Sequence, residues 1–186
     1  MLIFIKMRKP FEQIIEVPEG VEVTLDESIL KVKGQEGENS REFKLGKIKF
    51  EIKDGKIILR DKVATKREKK LINTTKSHIN NMMKGVQEKF VYTLKVASSH
   101  FPMTVKVEGN KAEIKNFLGE KISRTCSVPE GAEVEVKKND ITVKSIDKEI
   151  AGQAAANFEK ATRISNRDRR VFQDGVYITN KAGKEM

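Results

Sequence analysis

The sequence predicts an α+β fold built as two duplicated domains, each an antiparallel β-sheet with a packed α-helix. Three observations carry this. Short runs alternate apolar and polar residues with period two. Two longer stretches space their apolar residues three and four apart. A segment of the first half returns in the second.

Val21, Val23 and Leu25 alternate with Glu22 and Thr24, and Leu30 and Val32 with Lys31 and Lys33. Such alternation gives a sheet one buried and one wet face. Ile48, Phe50 and Ile52, interleaved with lysines and Glu51, form the clearest strand. Asp54-Gly55 then leads into Lys56–Arg60, a hairpin signal because the tight turn needs positive φ. From Thr65 the period changes. Leu71, Thr75, Ile79, Met82, Met83 and Val86 form one helical stripe, with Gly85 expected to end it. Strands return at Phe90–Ala97, at Val105 and Val107 turning through Gly109-Asn110 to Ala112 and Ile114, and at Ile122–Val128. Val134 and Val136 turn through Asn139-Asp140 into Ile141 and Val143. A second helix begins near Asp147 with Ile150, Ala154, Phe158 and Ala161 on one face, and residues 163–186 are polar and basic.

Val17–Gly34 aligns with Val128–Ser145 at eight identities in eighteen positions, including the contiguous Val-Pro-Glu-Gly. A repeat of this size indicates duplicated domains. The surroundings differ, because Ser40–Arg60 precedes the helix only in the first copy. The expected domains are 1–84, 85–178 and a basic C-terminal tail, 179–186.

Charged residues make up 34% of the 186 residues and the net charge is +10, a balance that favours a polyanionic partner. The longest apolar run, Leu2–Ile5, is far short of the ~20 residues that span a bilayer, and it precedes the first lysine, the reverse of a secretory signal. No membrane partner is expected. A single cysteine, Cys126, fits a reducing, cytoplasmic compartment. Asn73-Thr74-Thr75 is then a chance glycosylation match.

The catalytic inventory is thin. Phosphate-loop, dinucleotide, nucleophile-elbow and zinc-helix motifs are absent. His78 lies beside the helical stripe and reads as a packed or surface imidazole. His100 follows Ser98-Ser99, but a nucleophile and base also need an orienting group and an oxyanion site. Cys126 with two scattered histidines lacks metal-site spacing. No enzyme activity, cofactor or metal is expected.

The basic residues are unevenly spread. Residues 11–40 carry −6, so the rest carries +16. Arg60–Lys76 has seven bases against two acids and reads as a solvated helix face. Lys160–Arg170 holds Lys160, Arg163, Arg167, Arg169 and Arg170 against Asp168, four of the nine arginines in eleven residues. Arginine's planar donor fork suits phosphate oxygens, so this cluster reads as polyanion contact. In Lys115-Asn116-Phe117-Leu118-Gly119-Glu120-Lys121, the glycine permits close backbone approach. Lys115, Asn116 and Lys121 offer donors, while Phe117 and Leu118 read as core.

The run Arg170-Val171-Phe172-Gln173-Asp174-Gly175-Val176-Tyr177-Ile178-Thr179-Asn180-Lys181 resembles the C-terminal signature of the ribosomal large-subunit protein L-six family, in its archaeal and eukaryotic form. Ile79–Val86 resembles that family's helix end at the domain junction. Phe117-Leu118-Gly119 with Val128-Pro129-Glu130-Gly131 resembles a loop and strand of its second domain, and Ala151–Ala155 its second helix. The resemblance spans Arg8 to Lys181, with Met7 the expected start. The bacterial form differs, carrying a Tyr-Lys-Gly-Lys-Gly type motif in its tail.

The resemblance implies a non-enzymatic constituent of the cytoplasmic large ribosomal subunit. It would bind large-subunit rRNA near the sarcin–ricin loop and stalk base, beside neighbouring ribosomal proteins and docking translational GTPases, and would not bind DNA. Charge and motif together nominate Lys115, Asn116, Lys121, Arg163, Arg167, Arg169, Arg170 and Lys181 as RNA-binding residues. The two halves carry +6 and +4, so placement rather than total charge favours the second, with its arginines expected on an irregular tail. Two alternatives stand beside this: a free-standing RNA-binding or RNA-chaperone module, which shares the charge and β content, and a small hydrolase using Ser99 and His100, which has no motif behind it.

Overall fold

The computed structural model describes residues 9–53 and 55–186. The expected start at Met7 and the Asp54 half of the first hairpin turn lie outside the described residues. Two compact units divide between Glu88 and Lys89.

The first unit contains β1 (Lys9–Glu16), β2 (Glu22–Asp26), β3 (Ile29–Gly34), β4 (Gly37–Glu42), β5 (Lys49–Lys53), β6 (Lys56–Ala64) and α1 (Lys66–Gln87). Its strands make two antiparallel sheets, ordered β2-β3-β4 and β1-β6-β5. Alternation does what period two requires: Leu30 and Val32 are fully buried around exposed Lys31, and Ile57 and Leu59 are fully buried around half-buried Ile58. Thr65 caps α1. Its hydroxyl accepts from the Arg67 N–H at 3.2 Å, and its own N–H donates to the Glu68 carboxylate at 2.9 Å. The buried stripe runs through Ile72, Thr75, Ile79, Met82, Met83 and Val86, whereas Leu71 is exposed: Ile72, one position on, faces the core instead.

Gly85 does not end the helix. It is buried within it, and α1 runs on to Gln87, where Glu88 turns extended. The first unit therefore reaches 88, past the expected boundary at 84, because fully buried Val86 still belongs to its core. Gly34 is required here for another reason: a Cβ on it would stand 2.7 Å from the Val86 carbonyl oxygen.

The second unit contains β7 (Phe90–Ala97), β8 (Thr104–Glu108), β9 (Lys111–Lys115), β10 (Arg124–Ser127), β11 (Glu133–Lys137), β12 (Asp140–Ser145), α2 (Lys148–Ala161), β13 (Gly175–Lys181) and β14 (Lys184–Glu185). Its sheets are ordered β8-β9-β10 and β11-β12-β7-β13-β14. Asp147 caps α2 through the Glu149 N–H at 2.8 Å. Ala151, Ala154 and Ala155 let the helix sit close to the strands, and Phe158 fills the space beyond them. Truncating a fully buried phenylalanine such as Phe158 to alanine costs ~3–5 kcal/mol. The tight turn between β11 and β12 falls on Lys138-Asn139, one residue earlier than Asn139-Asp140, with Lys138 at φ 52°. The expected strand over 122–128 is shorter, Arg124–Ser127. Residues 179–186 are not a separate tail. Val176 and Ile178 turn inward from β13, so the strand joins β7 and continues to Lys181.

The duplication is plain in the topology, in chain order. Strands β1 to β6 and α1 correspond to β7 to β12 and α2, each helix following the sixth strand. The Val17–Gly34 and Val128–Ser145 match does not follow that order, for it sets β2–β3 against β11–β12, which correspond to β5–β6. What it detects is a second symmetry inside each unit. In each sheet, a strand that flanks a hairpin bonds back to the turn of that same hairpin. The bonds are Val17 N–H to Gly55 O (3.1 Å), Phe43 N–H to Ser28 O (2.8 Å), Val96 N–H to Asn139 O (2.7 Å) and Val128 N–H to Asn110 O (2.8 Å). Similar turn-and-strand sequences recur because the same junction recurs. Among the described residues, no helix is long and apolar enough to cross a membrane.

Candidate nucleic-acid interface

Three loops of the second unit converge at one end of its sheets. They are the α2–β13 connection (163–174), the β7–β8 connection (98–103) and the β9–β10 connection (116–123).

The arginine segment is an ordered loop, not an irregular tail. Buried Thr162 closes its base: the hydroxyl donates to the Phe158 carbonyl at 3.3 Å and accepts from the Val176 N–H at 2.9 Å, joining the loop's entry to its exit. Inside it, the Asp168 carbonyl accepts from the Val171 and Phe172 N–H groups at 3.1 and 2.9 Å. The Asp168 carboxylate takes the Arg170 guanidinium at 2.8 Å and the Arg170 N–H at 2.9 Å. Arg170 beside it holds the Asp168 carboxyl below its ordinary range.

Asp174 anchors this loop to its neighbour. Its side chain is buried and accepts from the Ser99 N–H, from the Ser99 hydroxyl at 3.0 Å, from the His100 N–H at 3.2 Å, and lies 2.5 Å from His100 Nδ1. Burial alone would raise its pKa, but these hydrogen bonds outweigh burial and hold the carboxyl below its ordinary value. Ser99 Oγ also meets His100 at Nδ1, 3.2 Å away. A nucleophile–base relay needs serine and carboxylate on opposite ring nitrogens. Here both sit on Nδ1, so the trio ties loops together and is not a relay. The His100 ring stacks on Phe172 at 5.0 Å, and the Arg167 guanidinium lies 4.8 Å from the same Phe172 ring.

The β9–β10 connection has unusual backbone. Asn116, Leu118 and Gly119 all have positive φ, at 60°, 48° and 77°. A leucine there is strained, and such strain concentrates at functional sites. Phe117 is buried, as its sequence reading requires. Phe101 of the β7–β8 loop lies against Gly119, where an added Cβ would contact its ring at 3.5 Å.

Arg124 joins this loop to the arginine segment. Its guanidinium grips the Glu120 carboxylate at 2.8 and 2.6 Å and donates to the Ala161 and Arg163 carbonyls at 2.9 and 3.2 Å. It also lies 4.2 Å from the Phe117 ring centroid. The first of those carbonyls belongs to the last residue of α2, so the cation also neutralises the negative end of that helix. Arg124 beside Glu120 lowers that carboxyl's pKa against burial, and Arg167 adds to the effect.

Most of the nominated residues thus come together. Lys115 is exposed at the end of β9, 3.3 Å from Glu113. Asn116 spends an amide hydrogen on the Pro102 carbonyl at 3.0 Å, so it ties loops rather than offering both donors to a ligand. Lys121, Arg163, Arg167 and Arg169 are exposed, and Arg170 is exposed but engaged by Asp168. Lys181 stands apart. It lies six residues along β13 from Gly175, about 20 Å away at the strand rise. In the first unit, Lys69 packs near the Phe11 ring and Lys76 donates to Gln13 at 2.7 Å, while Lys66, Arg67 and Lys70 are exposed. Sequence reading missed Arg124, a lone arginine in a short strand, and the anchoring role of Asp174. Cys126 is half-buried, and burial pushes its thiol up to about 11.

The family model for ribosomal protein L6 matches residues 17–89 and again residues 101–175. The chain belongs to the ribosomal protein L6 family. The two matches begin just before β2 and β8, as an in-order duplication requires. L6 relatives described as large ribosomal subunit protein uL6 cover nearly all of it. That of Nanoarchaeum equitans is 48% identical over 180 residues, 92% of this chain and 94% of its own. That of Methanocella arvoryzae is 47% identical over 169 residues, 90% and 96%. That of Methanobrevibacter smithii is 45% identical over 167 residues, 90% and 94%. This L6 chain is of the archaeal type, in a family of structural non-enzymes.

Proposed function

We propose that the protein is a structural constituent of the large ribosomal subunit, working in the cytoplasm. The converging loops of its second unit bind large-subunit rRNA near the sarcin–ricin loop and stalk base, beside neighbouring ribosomal proteins, and support the region where translational GTPases dock. The observation that carries this is the convergence itself. Lys121, Arg163, Arg167 and Arg169 stand exposed on loops that Arg124 and Asp174 lock to one another, with Lys115 exposed at the strand end that leads into them.

A fixed array of cations suits RNA. Compact RNA forces phosphates together, and each lysine or arginine that neutralises one releases condensed counterions. Because the loops hold the charges in place, little conformational freedom is lost on binding. The array reads backbone shape more than base sequence, as double-stranded RNA requires. The second unit thereby carries most of the affinity, while the basic face of α1 stays solvated.

Filter binding of the full chain to an rRNA fragment spanning the sarcin–ricin region tests this. Changing Arg163, Arg167 and Arg169 to Gln weakens binding far more than changing Lys66, Arg67 and Lys70. Equal losses would move the main site to α1. Co-sedimentation with salt-washed large subunits separates a resident protein from a free-standing RNA chaperone, which washes off.

A further inference from the structure

Behind the arginine loop, between the end of α2 and β13, lies a cavity of about 250 Å³. Lys160, Thr162, Arg163, Arg169 and Tyr177 line it, with Glu159 at one side. At ~30 Å³ per water it has room for about eight, the scale of a nucleobase edge or a phosphate.

Tyr177 is 36% exposed, while the chain's other tyrosine, Tyr92, is 7% exposed. Its ring lies back along β13 over Gly175, where a Cβ would meet ring and hydroxyl atoms at 3.2 Å. Glycine at 175 lets the aromatic plane lie against the strand. The helix end beside the cavity would ordinarily repel an anion, but Arg124 already covers the Ala161 and Arg163 carbonyls. Three cations, a hydroxyl and a flat aromatic ring therefore surround one small cavity.

Phosphate contact alone needs the cations but neither the ring nor the cavity. Together they match an unpaired nucleotide, since single-stranded RNA is recognised by stacking bases on aromatic side chains while basic groups hold the phosphates. We propose that this cavity takes one unpaired nucleotide of the bound RNA, its base stacked on Tyr177 and its phosphates held by Lys160, Arg163 and Arg169. The proposal rests on the rRNA reading above and adds to it a base-stacking pocket.

The test uses the full chain and the sarcin–ricin rRNA fragment. The chain has no tryptophan and two tyrosines, so tyrosine emission reports on Tyr177 over the constant background of Tyr92. RNA quenches wild-type emission and leaves Tyr177→Phe emission unchanged, while that variant keeps affinity within about threefold. Tyr177→Leu and Tyr177→Ala, with far-UV circular dichroism unchanged, lose about 5- to 150-fold, from a base-stacking worth of ~1–3 kcal/mol. Tyr177→Leu keeps an apolar side chain over Gly175 should the alanine variant fold poorly. Wild-type affinity in Tyr177→Leu, or unquenched wild-type emission on binding, overturns the pocket and leaves the rRNA reading standing. No wild-type binding at all overturns both. Quenching by an acidic peptide but not by RNA would assign the cavity to a protein partner and overturn the proposal.

Discussion

Replacing Asp174 tests the loop lock most directly. Its carboxylate accepts from Ser99 and His100 at four donor groups, with only 1% of the residue exposed. Hydrogen bonds to a charged group are worth ~1.5–3 kcal/mol each, but Ser99 and His100 are exposed and water replaces part of the loss. Asp174→Ala therefore costs about 2–4 kcal/mol, and Asp174→Asn, which keeps one oxygen but no charge, about 1–2. For a unit of about 100 residues, the alanine variant's midpoint falls on the order of 10–20 °C.

The pH dependence gives a second, independent readout. The folded carboxyl titrates below its ordinary value of 3.8, so its contribution to stability is complete above that value. It is lost as pH falls through the lower folded value. The amide introduced by Asp174→Asn does not titrate. The gap between wild type and this variant is full at pH 7 and closes as the pH falls below 4. Urea titrations followed by circular dichroism at several pH values measure it. A cost under about 0.5 kcal/mol at pH 7, or a gap that stays constant into acid, would refute the claim that this carboxylate holds the loops.

Arg124→Lys keeps a charge but loses the bidentate grip on Glu120 and the shared carbonyl contacts, so stability falls by about 1–2 kcal/mol in chemical denaturation, and RNA affinity falls with it. Changing Arg163, Arg167 and Arg169 to Gln flattens the log K against log salt slope by about 2.7, at 0.9 per phosphate. Adding Arg170→Gln flattens it by less than one further such step, because Asp168 already offsets that charge; filter binding across a salt series measures both. Cys126, with its thiol near 11, is about one part in a thousand ionised at pH 8. Maleimide therefore labels the native chain on the order of a hundredfold more slowly than the urea-unfolded one.

Most strands were legible in the sequence because period two leaves a strong trace, and Phe90–Ala97 is read to the residue, but β1 and the polar β4 were not read. The boundary at Gly85 was not. A glycine's conformational freedom looks the same whether it ends a helix or, as here, packs inside one. Leu71 and Ile72 show the limit of helical stripes, since adjacent apolar residues leave the facing side open by about one position. Of the site, the cations were legible as charge, and family resemblance supplied the role proposed for them. Arg124 and Asp174 were not, because their importance lies in partners 37 to 75 positions distant. No local pattern encodes such pairs. Lys181 looked like part of the arginine cluster because the two are close in sequence, and an extended strand then carries it away.

The pairing of β13 with β7 joins residues 78 to 89 positions apart, the longest-range strand pairing among the described residues. Long-range closure is entropically the most demanding step of a fold, and a sheet's flank opens at lower free energy than its centre. Outside β13 lies only the two-residue β14. The strand that clasps Thr162, presents Tyr177 and carries the arginine loop is thus the part of the unit most dependent on help to stay closed. RNA bound at 100 times its Kd supplies about 2.7 kcal/mol to the closed form. Amide exchange along β13 will therefore slow on RNA binding far more than exchange in β12 or α2. On the proposed rRNA contact, this edge is finished by its ligand, so that binding and the last closure of the unit become one event.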